Sequence, residues 1–213
     1  MIHLLTTAIL TLGLMTSPAI AQTPAAEKPK DHIILCLGDS LTEGYGVPIE
    51  KSWPSLLQEH LNKQNVKVLN SGISGATSAS GPSRLKWHLK STEKPDIMIL
   101  ALGANDGLRG QPVAAMKENL SKTIIMAKDA GIRPVLAGMR IPPNYGQVYA
   151  DSFEKVFIDL AKEHSITLIP FLLDGVAAQK DLNLPDGIHP NPKGYEIVIK
   201  NVLKIVEPML KDK

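Results

Sequence analysis

The sequence predicts one three-layer α/β/α domain built around a parallel sheet. Short, almost entirely apolar runs alternate along the chain with segments of helical periodicity, which is the pattern of β-α-β units. The apolar runs are continuous, as in strands that are buried on both faces of a sheet. No internal repeat or second zone of composition appears, and 213 residues fit one domain.

Five runs are predicted as strands and five segments as helices. The last helix has an N-cap candidate in Asn191 and a first residue in Pro192, and Gly131 follows the third helix as a C′ residue. The alternation predicts a five-stranded parallel sheet with flavodoxin-like winding, whose sites form beyond the carboxyl ends of the strands. The predicted strands are 33–37, 66–69, 97–102, 132–137 and 166–169. The predicted helices are 53–61, 84–90, 112–130, 149–164 and 192 to about 209.

The first 21 residues have the pattern of a signal peptide. They contain no acidic residue, lysine or arginine, and a short apolar run ends in Ala19-Ile20-Ala21, which predicts cleavage before Gln22. The alternative is a buried N-terminal helix, which Pro18 and the polar tract after it oppose. We therefore predict a signal peptide over 1–21, a flexible leader over 22–31, one folded domain over 32–213, and export to the periplasm or medium.

Composition excludes several classes of protein. The net charge is +2, no basic block exceeds two adjacent residues and 4% of residues are aromatic, which is unlike a nucleic-acid-binding protein. The one cysteine, Cys36, lies in an apolar run and reads as a small core residue. No zinc-type spacing of cysteine and histidine occurs, so we predict no metal site.

Four polar or glycine-rich segments follow predicted strands or precede the last helix. Each has an ordinary structural interpretation when taken alone: a helix-capping serine, a loop of small residues, a turn and a surface histidine. Together they supply a nucleophile, an orienting carboxylate and a base in the order Ser40, Asp186, His189, with Asn105 as an amide donor. Thr42 stands where the α/β-hydrolase elbow has its second glycine, so the scaffold is a different one. The segments are 38–41, 70–78, 103–107 and 186–190.

These four segments resemble the blocks of the SGNH, or GDSL, hydrolase family. The resemblance is strongest to its bacterial acyl-CoA thioesterase, lysophospholipase and arylesterase subfamily. It implies that Ser40, Asp186 and His189 form the triad, and that Ser40, Gly75 and Asn105 form the oxyanion hole. The motifs are Gly-Asp-Ser-Leu-Thr-Glu-Gly-Tyr-Gly from 38, Asn-Asp-Gly-Leu-Arg-Gly from 105, Pro-Pro-Asn-Tyr-Gly from 142 and Asp-Gly-Ile-His-Pro-Asn from 186.

The resemblance also implies a serine esterase that needs no metal or organic cofactor. Its substrate would be a small acyl ester or lipid, and Leu108, Ile141, Pro142 and Tyr145 would flank the acyl pocket. We expect a monomer with no nucleic-acid partner and no stable membrane anchor. Two alternatives stay open: a carbohydrate O-acetyl esterase of the same family, and a non-catalytic binding module on this scaffold.

Overall fold

The computed structural model describes residues 32–211, which contain five β-strands and seven α-helices. The strands are β1 (His32–Gly38), β2 (Val66–Gly72), β3 (Ile97–Ala101), β4 (Arg133–Ala137) and β5 (Thr167–Ile169). The helices are α1 (Ser40–Glu43), α2 (Trp53–Leu61), α3 (Gly81–His88), α4 (Ala104–Leu108), α5 (Val113–Asp129), α6 (Gln147–His164) and α7 (Pro192–Lys211). The predicted signal peptide and leader lie outside the described residues.

The five strands form one parallel sheet in the order β2-β1-β3-β4-β5, which confirms the predicted fold class. The chain moves outward from β1 to β2 and then crosses back to place β3 on the other side of β1. This reversal leaves a crevice between the carboxyl ends of β1 and β3, where ligands bind in open sheets of this kind. The segments that carry Ser40 and Asn105 begin at these two ends.

Helices cover both faces of the sheet and close the core. Helix α2 packs against α7 on one face, and α5 packs between α3 and α6 on the other. All five residues of β3 are buried, as are the last five of β1, because each of these strands has neighbours on both edges and helices on both faces. Over residues 32–211, no helix has the length and apolar character needed to cross a membrane.

Several boundaries of the fold differ from the sequence prediction, and α3 begins at Gly81, three residues before the predicted start at 84, and ends at His88 instead of 90. Strand β2 extends to Gly72, three residues beyond its apolar run, because Asn70, Ser71 and Gly72 stay in register with the last residues of β1. The short helices α1 and α4 were not predicted, since four or five residues carry no periodicity. Each begins directly after the turn that ends a strand.

Gly72 shows why a glycine closes β2. A Cβ atom at this position would lie 2.0 Å from the backbone nitrogen of Glu43 and 2.4 Å from its Cα. Neither atom can move without displacing α1. The absent side chain therefore lets the end of β2 approach the helix that begins with Ser40.

Candidate active site

Ser40 is the first residue of α1, directly beyond the carboxyl end of β1. Asp39 caps this helix, and its Oδ1 accepts from the Leu41 N–H at 3.0 Å. The helix ends after one turn at Gly44, whose left-handed φ of 91° suits glycine. As a first-turn residue, Ser40 has a backbone N–H without an intrahelical acceptor, so hydroxyl and N–H are presented from the same turn.

His189 lies between Ser40 and Asp186. Its Nε2 is 2.9 Å from Ser40 Oγ, and its Nδ1 is 2.8 Å from Asp186 Oδ2. The other oxygen of Asp186 accepts from the N–H groups of Ile188 at 3.0 Å and His189 at 3.1 Å. This chain of contacts can remove a proton from the hydroxyl and stabilise the imidazolium that results. The structure thus brings the three predicted triad residues together.

The segment that carries Asp186 and His189 is fixed by the start of α7. Asn191 Oδ1 accepts from the N–H groups of Lys193 at 3.0 Å and Gly194 at 3.1 Å, so it is the N-cap that the sequence predicts. Tyr195 is fully buried, and its hydroxyl donates to the carbonyl of Leu41 at 3.0 Å. This bond ties the last helix to the turn that holds Ser40.

Hydrogen-bond donors reach the same place from the ends of β2 and β3. Gly75 has a φ of +76°, a conformation that favours glycine, and no hydrogen bond of the described residues uses its N–H. Its carbonyl accepts from Arg109 Nη2 at 3.0 Å. Asn105 lies in the first turn of α4, and its Nδ2 donates to Ala76 O at 3.0 Å. Ser40, Gly75 and Asn105 all line one cavity.

Asp106, beside Asn105, holds the loop that carries Gly75 in place, a role that the sequence analysis did not assign. It is 2% exposed, and its two oxygens accept from Ser78 N at 2.8 Å and Ser78 Oγ at 2.6 Å. Asn119 of α5 donates to the same Ser78 Oγ at 3.2 Å. The only sequence signal was a second polar residue after β3, yet this contact fixes the Gly75 loop against α4.

Two carboxyl groups near Ser40 have displaced pKa values. Burial raises the pKa of Asp39 to about 6, although the Leu41 N–H and the charges of His189 and Arg84 oppose that rise. Partial burial also acts to raise the pKa of Asp186. The hydrogen bonds from the His189 ring and from the two backbone N–H groups outweigh it and lower that pKa below its ordinary value. Asp186 is therefore ionised at neutral pH, as an orienting carboxylate must be.

The cavity at Ser40 has a volume of about 530 Å³ and a mainly apolar lining. Leu108, Ile141 and Pro142 line it, as predicted. Tyr145 does not, because its hydroxyl donates to Leu108 O at 3.0 Å and its ring borders a neighbouring open cavity instead. Further lining residues, which the sequence did not identify, include Tyr45, Met139, Phe171, Leu173, Ala177 and Ala178.

Potential metal ligands and the cysteine were also located among residues 32–211. No group of three or more histidine, cysteine, aspartate or glutamate side chains within that range could hold a metal ion. Cys36 is a buried free thiol in β1, and its burial raises its pKa well above the usual value. Since a thiol reacts as its thiolate, Cys36 is an inert core residue, as predicted.

Comparison with known proteins agrees with this geometry. The model of the GDSL-like lipase/acylhydrolase family matches residues 36–197. An arylesterase of Vibrio mimicus is 44% identical over 190 residues, covering 86% of this chain and 92% of that protein. Thioesterase 1/protease 1/lysophospholipase L1 of Escherichia coli K12 is 34% identical over 177 residues, 83% of this chain and 84% of the relative.

Among solved structures, the psychrotrophic esterase EstA from Pseudoalteromonas sp., inhibited by monoethylphosphonate, superposes with a TM-score of 0.80. It is 33% identical, and the match covers 85% of this chain and all of that one.

Proposed function

Because the chain belongs to the GDSL-like lipase/acylhydrolase family, we propose that it is a serine esterase acting through Ser40, His189 and Asp186. Its substrates are small-molecule esters: carboxylic esters and thioesters of acyl lipids, lysophospholipids or aryl alcohols. The observation that carries the proposal is the continuous contact from Asp186 Oδ2 through both ring nitrogens of His189 to Ser40 Oγ, at 2.8 and 2.9 Å.

Acylation begins with proton transfer from Ser40 Oγ to His189 Nε2. The serine oxygen forms a bond to the ester carbonyl carbon, and the carbonyl oxygen becomes an oxyanion. Asp186 keeps the proton of the imidazole on Nδ1 and stabilises the charged ring. When the tetrahedral intermediate collapses, the alcohol or thiol leaves with the proton from Nε2, and an acyl-enzyme remains.

We infer that three donors receive the oxyanion. They are the N–H of Ser40, the N–H of Gly75 and the side-chain amide of Asn105, which come from the ends of three adjacent strands. Donors that are held in place before the reaction stabilise the developing negative charge without reorganisation. In many acyl-transfer enzymes this stabilisation is the largest contribution to the rate enhancement. Water then attacks the acyl-enzyme with His189 as base, releases the carboxylic acid and restores Ser40.

The size and lining of the cavity favour a substrate with a longer acyl chain over one with an acetyl group. Its walls include Leu108, Met139, Ile141, Phe171 and Leu173, and its volume of about 530 Å³ is far larger than a methyl group needs. A carbohydrate O-acetyl esterase would instead need a narrow polar site. A binding module without activity has no use for the complete set of nucleophile, base and oxyanion donors.

Hydrolysis of p-nitrophenyl esters from acetate to palmitate tests the proposal, with wild type and Ser40→Ala compared side by side. We expect turnover that peaks at medium or long chains and is lost in Ser40→Ala, by a factor on the order of 10⁶ in kcat. A sharp preference for acetate would favour the O-acetyl esterase. Turnover that persists unchanged in Ser40→Ala would refute the assignment.

We further infer that the protein is exported and acts as a monomer without a stable membrane anchor. The export proposal rests on the signal-peptide pattern of residues 1–21 and predicts a mature chain that starts at Gln22. Intact-mass measurement of the protein from a bacterial periplasmic fraction tests the cleavage site. Sedimentation of the purified mature chain tests the monomer.

A further inference from the structure

Glu43 is the last residue of the one-turn helix that begins with Ser40. Its Oε2 accepts two hydrogen bonds from Ser74, one from the backbone N–H at 2.7 Å and one from the side-chain hydroxyl. Residues three apart are neighbours on the surface of a helix, so the Glu43 side chain leaves α1 next to Ser40. One carboxylate thus joins the helix of the proposed nucleophile to the loop that carries Gly75.

The end of β2 fixes the backbone from which the Glu43 side chain extends. Gly72 packs so closely against it that a Cβ on Gly72 would lie 2.0 Å from the Glu43 nitrogen. Asn70 of the same strand donates to the Glu43 carbonyl at 3.4 Å and accepts from the Gly72 N–H at 2.9 Å. Although the Glu43 side chain is exposed, its origin is therefore held against the strand that leads into the Gly75 loop.

Ser74 and Gly75 are the two central residues of a β-turn over 73–76. The N–H of Ala76 donates to the carbonyl of Ile73 at 3.1 Å, and Gly75, at the third position, has a φ of +76°. A positive φ at this position is typical of a type II turn and favours glycine. The central peptide group of the turn carries the N–H of Gly75, which no hydrogen bond among the described residues uses.

Side chains hold this turn on both sides of its central peptide group. Glu43 accepts from the N–H of Ser74, which belongs to the peptide group before the central one. Arg109 Nη2 donates at 3.0 Å to the carbonyl of Gly75, which belongs to the peptide group after it. Arg109 follows α4, the helix of Asn105. The Gly75 turn is therefore tied to the helices of the other two proposed oxyanion donors, to α1 through Glu43 and to α4 through Arg109.

We propose that Glu43 is a positioning residue of the oxyanion hole, which holds the Gly75 N–H in place relative to Ser40 by binding Ser74. The proposal rests on the function assigned above to Ser40 and Gly75. Glu43 is not among the residues that line the cavity, so it acts through the turn and not on the substrate. Its effect therefore belongs to kcat rather than to KM.

Replacement of Glu43 supplies the first test, made with p-nitrophenyl octanoate. In Glu43→Ala we expect kcat to fall about tenfold with less than about a twofold change in KM, because small displacements of an oxyanion donor are costly. Glu43→Gln keeps a side-chain oxygen that can accept from Ser74 and should retain at least about half of the wild-type kcat. An unchanged kcat in Glu43→Ala overturns the proposal, and so does a Glu43→Gln variant as impaired as Glu43→Ala.

A trifluoromethyl ketone separates positioning of the donor from a general distortion of the cavity. When 1,1,1-trifluorodecan-2-one binds, Ser40 Oγ bonds to the carbonyl carbon, the hydroxyl proton passes to His189 and the carbonyl oxygen becomes an oxyanion. We expect the inhibition constant of this ketone to rise about tenfold in Glu43→Ala, as expected of a transition-state analogue. Decan-1-ol forms no oxyanion and should inhibit wild type and variant alike. Equal losses for ketone and alcohol overturn the proposal.

Glu163→Ala is the matched control. Glu163 is likewise an exposed glutamate that accepts a hydrogen bond, from Lys117 Nζ at 2.5 Å, but it lies near the end of α6. Its loss should leave kcat and both inhibition constants unchanged, and a change equal to that of Glu43→Ala would refute a specific role for Glu43.

Thermal unfolding shows whether Glu43→Ala is folded at the assay temperature. If it is not, Glu43→Asp gives the same comparison, since its carboxylate is one methylene farther from Ser74, and a wild-type kcat in Glu43→Asp then contradicts the proposal. Ser40→Ala in the same assay tests the proposed function separately. If the wild type shows Ser40-dependent turnover, a failed Glu43 result concerns the positioning residue alone.

Discussion

The imidazole of His189 and the hydroxyl of Ser40 are 2.9 Å apart, although 149 positions separate the two residues in the chain. Ser40 is placed by β1 and its one-turn helix, whereas His189 is placed by α7, which packs against α2. The geometry of the reacting pair therefore depends on the packing of helices on one face of the sheet. We therefore expect substitutions around Ser40 and His189 to differ in whether they lower kcat or the stability of the fold.

Asp186→Asn should leave the fold intact and lower kcat by about 10⁴-fold. The asparagine can still accept from the Ile188 N–H, but it no longer stabilises the imidazolium or selects the tautomer that has its proton on Nδ1. The check is kcat for p-nitrophenyl octanoate together with near-UV circular dichroism. Activity within tenfold of the wild type would remove Asp186 from the orienting role.

Asn105→Ala should lower kcat by roughly 10²–10³-fold, or about 2.7–4 kcal/mol of transition-state stabilisation, as for loss of one oxyanion-hole donor. KM should change little, because the donor acts mainly on the oxyanion. Asn201→Ala is the control, since Asn201 also donates its amide to backbone carbonyls but lies on α7, with Leu172 and Asp174 as its acceptors. Equal losses in both variants would contradict the oxyanion role.

The pKa of Asp39 makes stability depend on pH. It is about 6 in the folded protein, above the ordinary value of an aspartate, so the folded state holds a proton that the unfolded state has lost. The stability contributed by this group is fully present below about pH 4 and is lost as pH rises through about 6, a change on the order of 3 kcal/mol. Urea unfolding of wild type and Asp39→Asn between pH 4 and 7.5 measures it.

The expected outcome is a difference in the free energy of unfolding, wild type minus Asp39→Asn, that declines as pH rises across this range. A difference that stays constant would show that Asp39 titrates alike in both states. The ionised Asp39 carboxylate therefore lowers the stability of the fold at neutral pH.

Gly72→Ala should destabilise the fold by about 3 kcal/mol or more, because the added methyl meets the Glu43 backbone and displaces α1. Gly110→Ala is the matched control: its φ is +61°, but a Cβ there would meet nothing within 4 Å, so only backbone strain of about 1 kcal/mol is expected. Thermal unfolding compares the two. A smaller loss for Gly72→Ala than for Gly110→Ala would contradict the close-approach argument.

The strand order and the placement of the four motif segments were predictable from the sequence. Five apolar runs with helical segments between them leave few topologies for a parallel sheet, and the polar segments at the strand ends then converge. The role predicted for Gly75 followed from the family resemblance, since a lone glycine in a loop carries no such information, whereas Asp186 was already indicated by its position three residues before His189.

Side-chain contacts between segments that are distant in the sequence were not predictable. The hydrogen bonds of Ser78 with Asp106 and of Tyr195 with Leu41 join segments 28 and 154 positions apart, and neither leaves a periodic signal. Tyr145 was assigned to the acyl pocket from its motif, but it borders the neighbouring cavity instead, and its hydroxyl donates to Leu108 O. The short helix α1 was missed because one turn has no period to detect.

The bond between Tyr195 and the Leu41 carbonyl has a consequence for biosynthesis. A ribosome completes Ser40, Gly75 and Asn105 long before Asp186, His189 and α7 have emerged. A nascent chain, or one cut before Asp186, lacks both the proposed base and the carboxylate that contacts it, so we expect no Ser40-dependent hydrolysis from such a chain. Since α7 begins three residues after His189 and Tyr195 ties it to the Ser40 turn, we expect hydrolytic activity only once the last helix has been made and has packed.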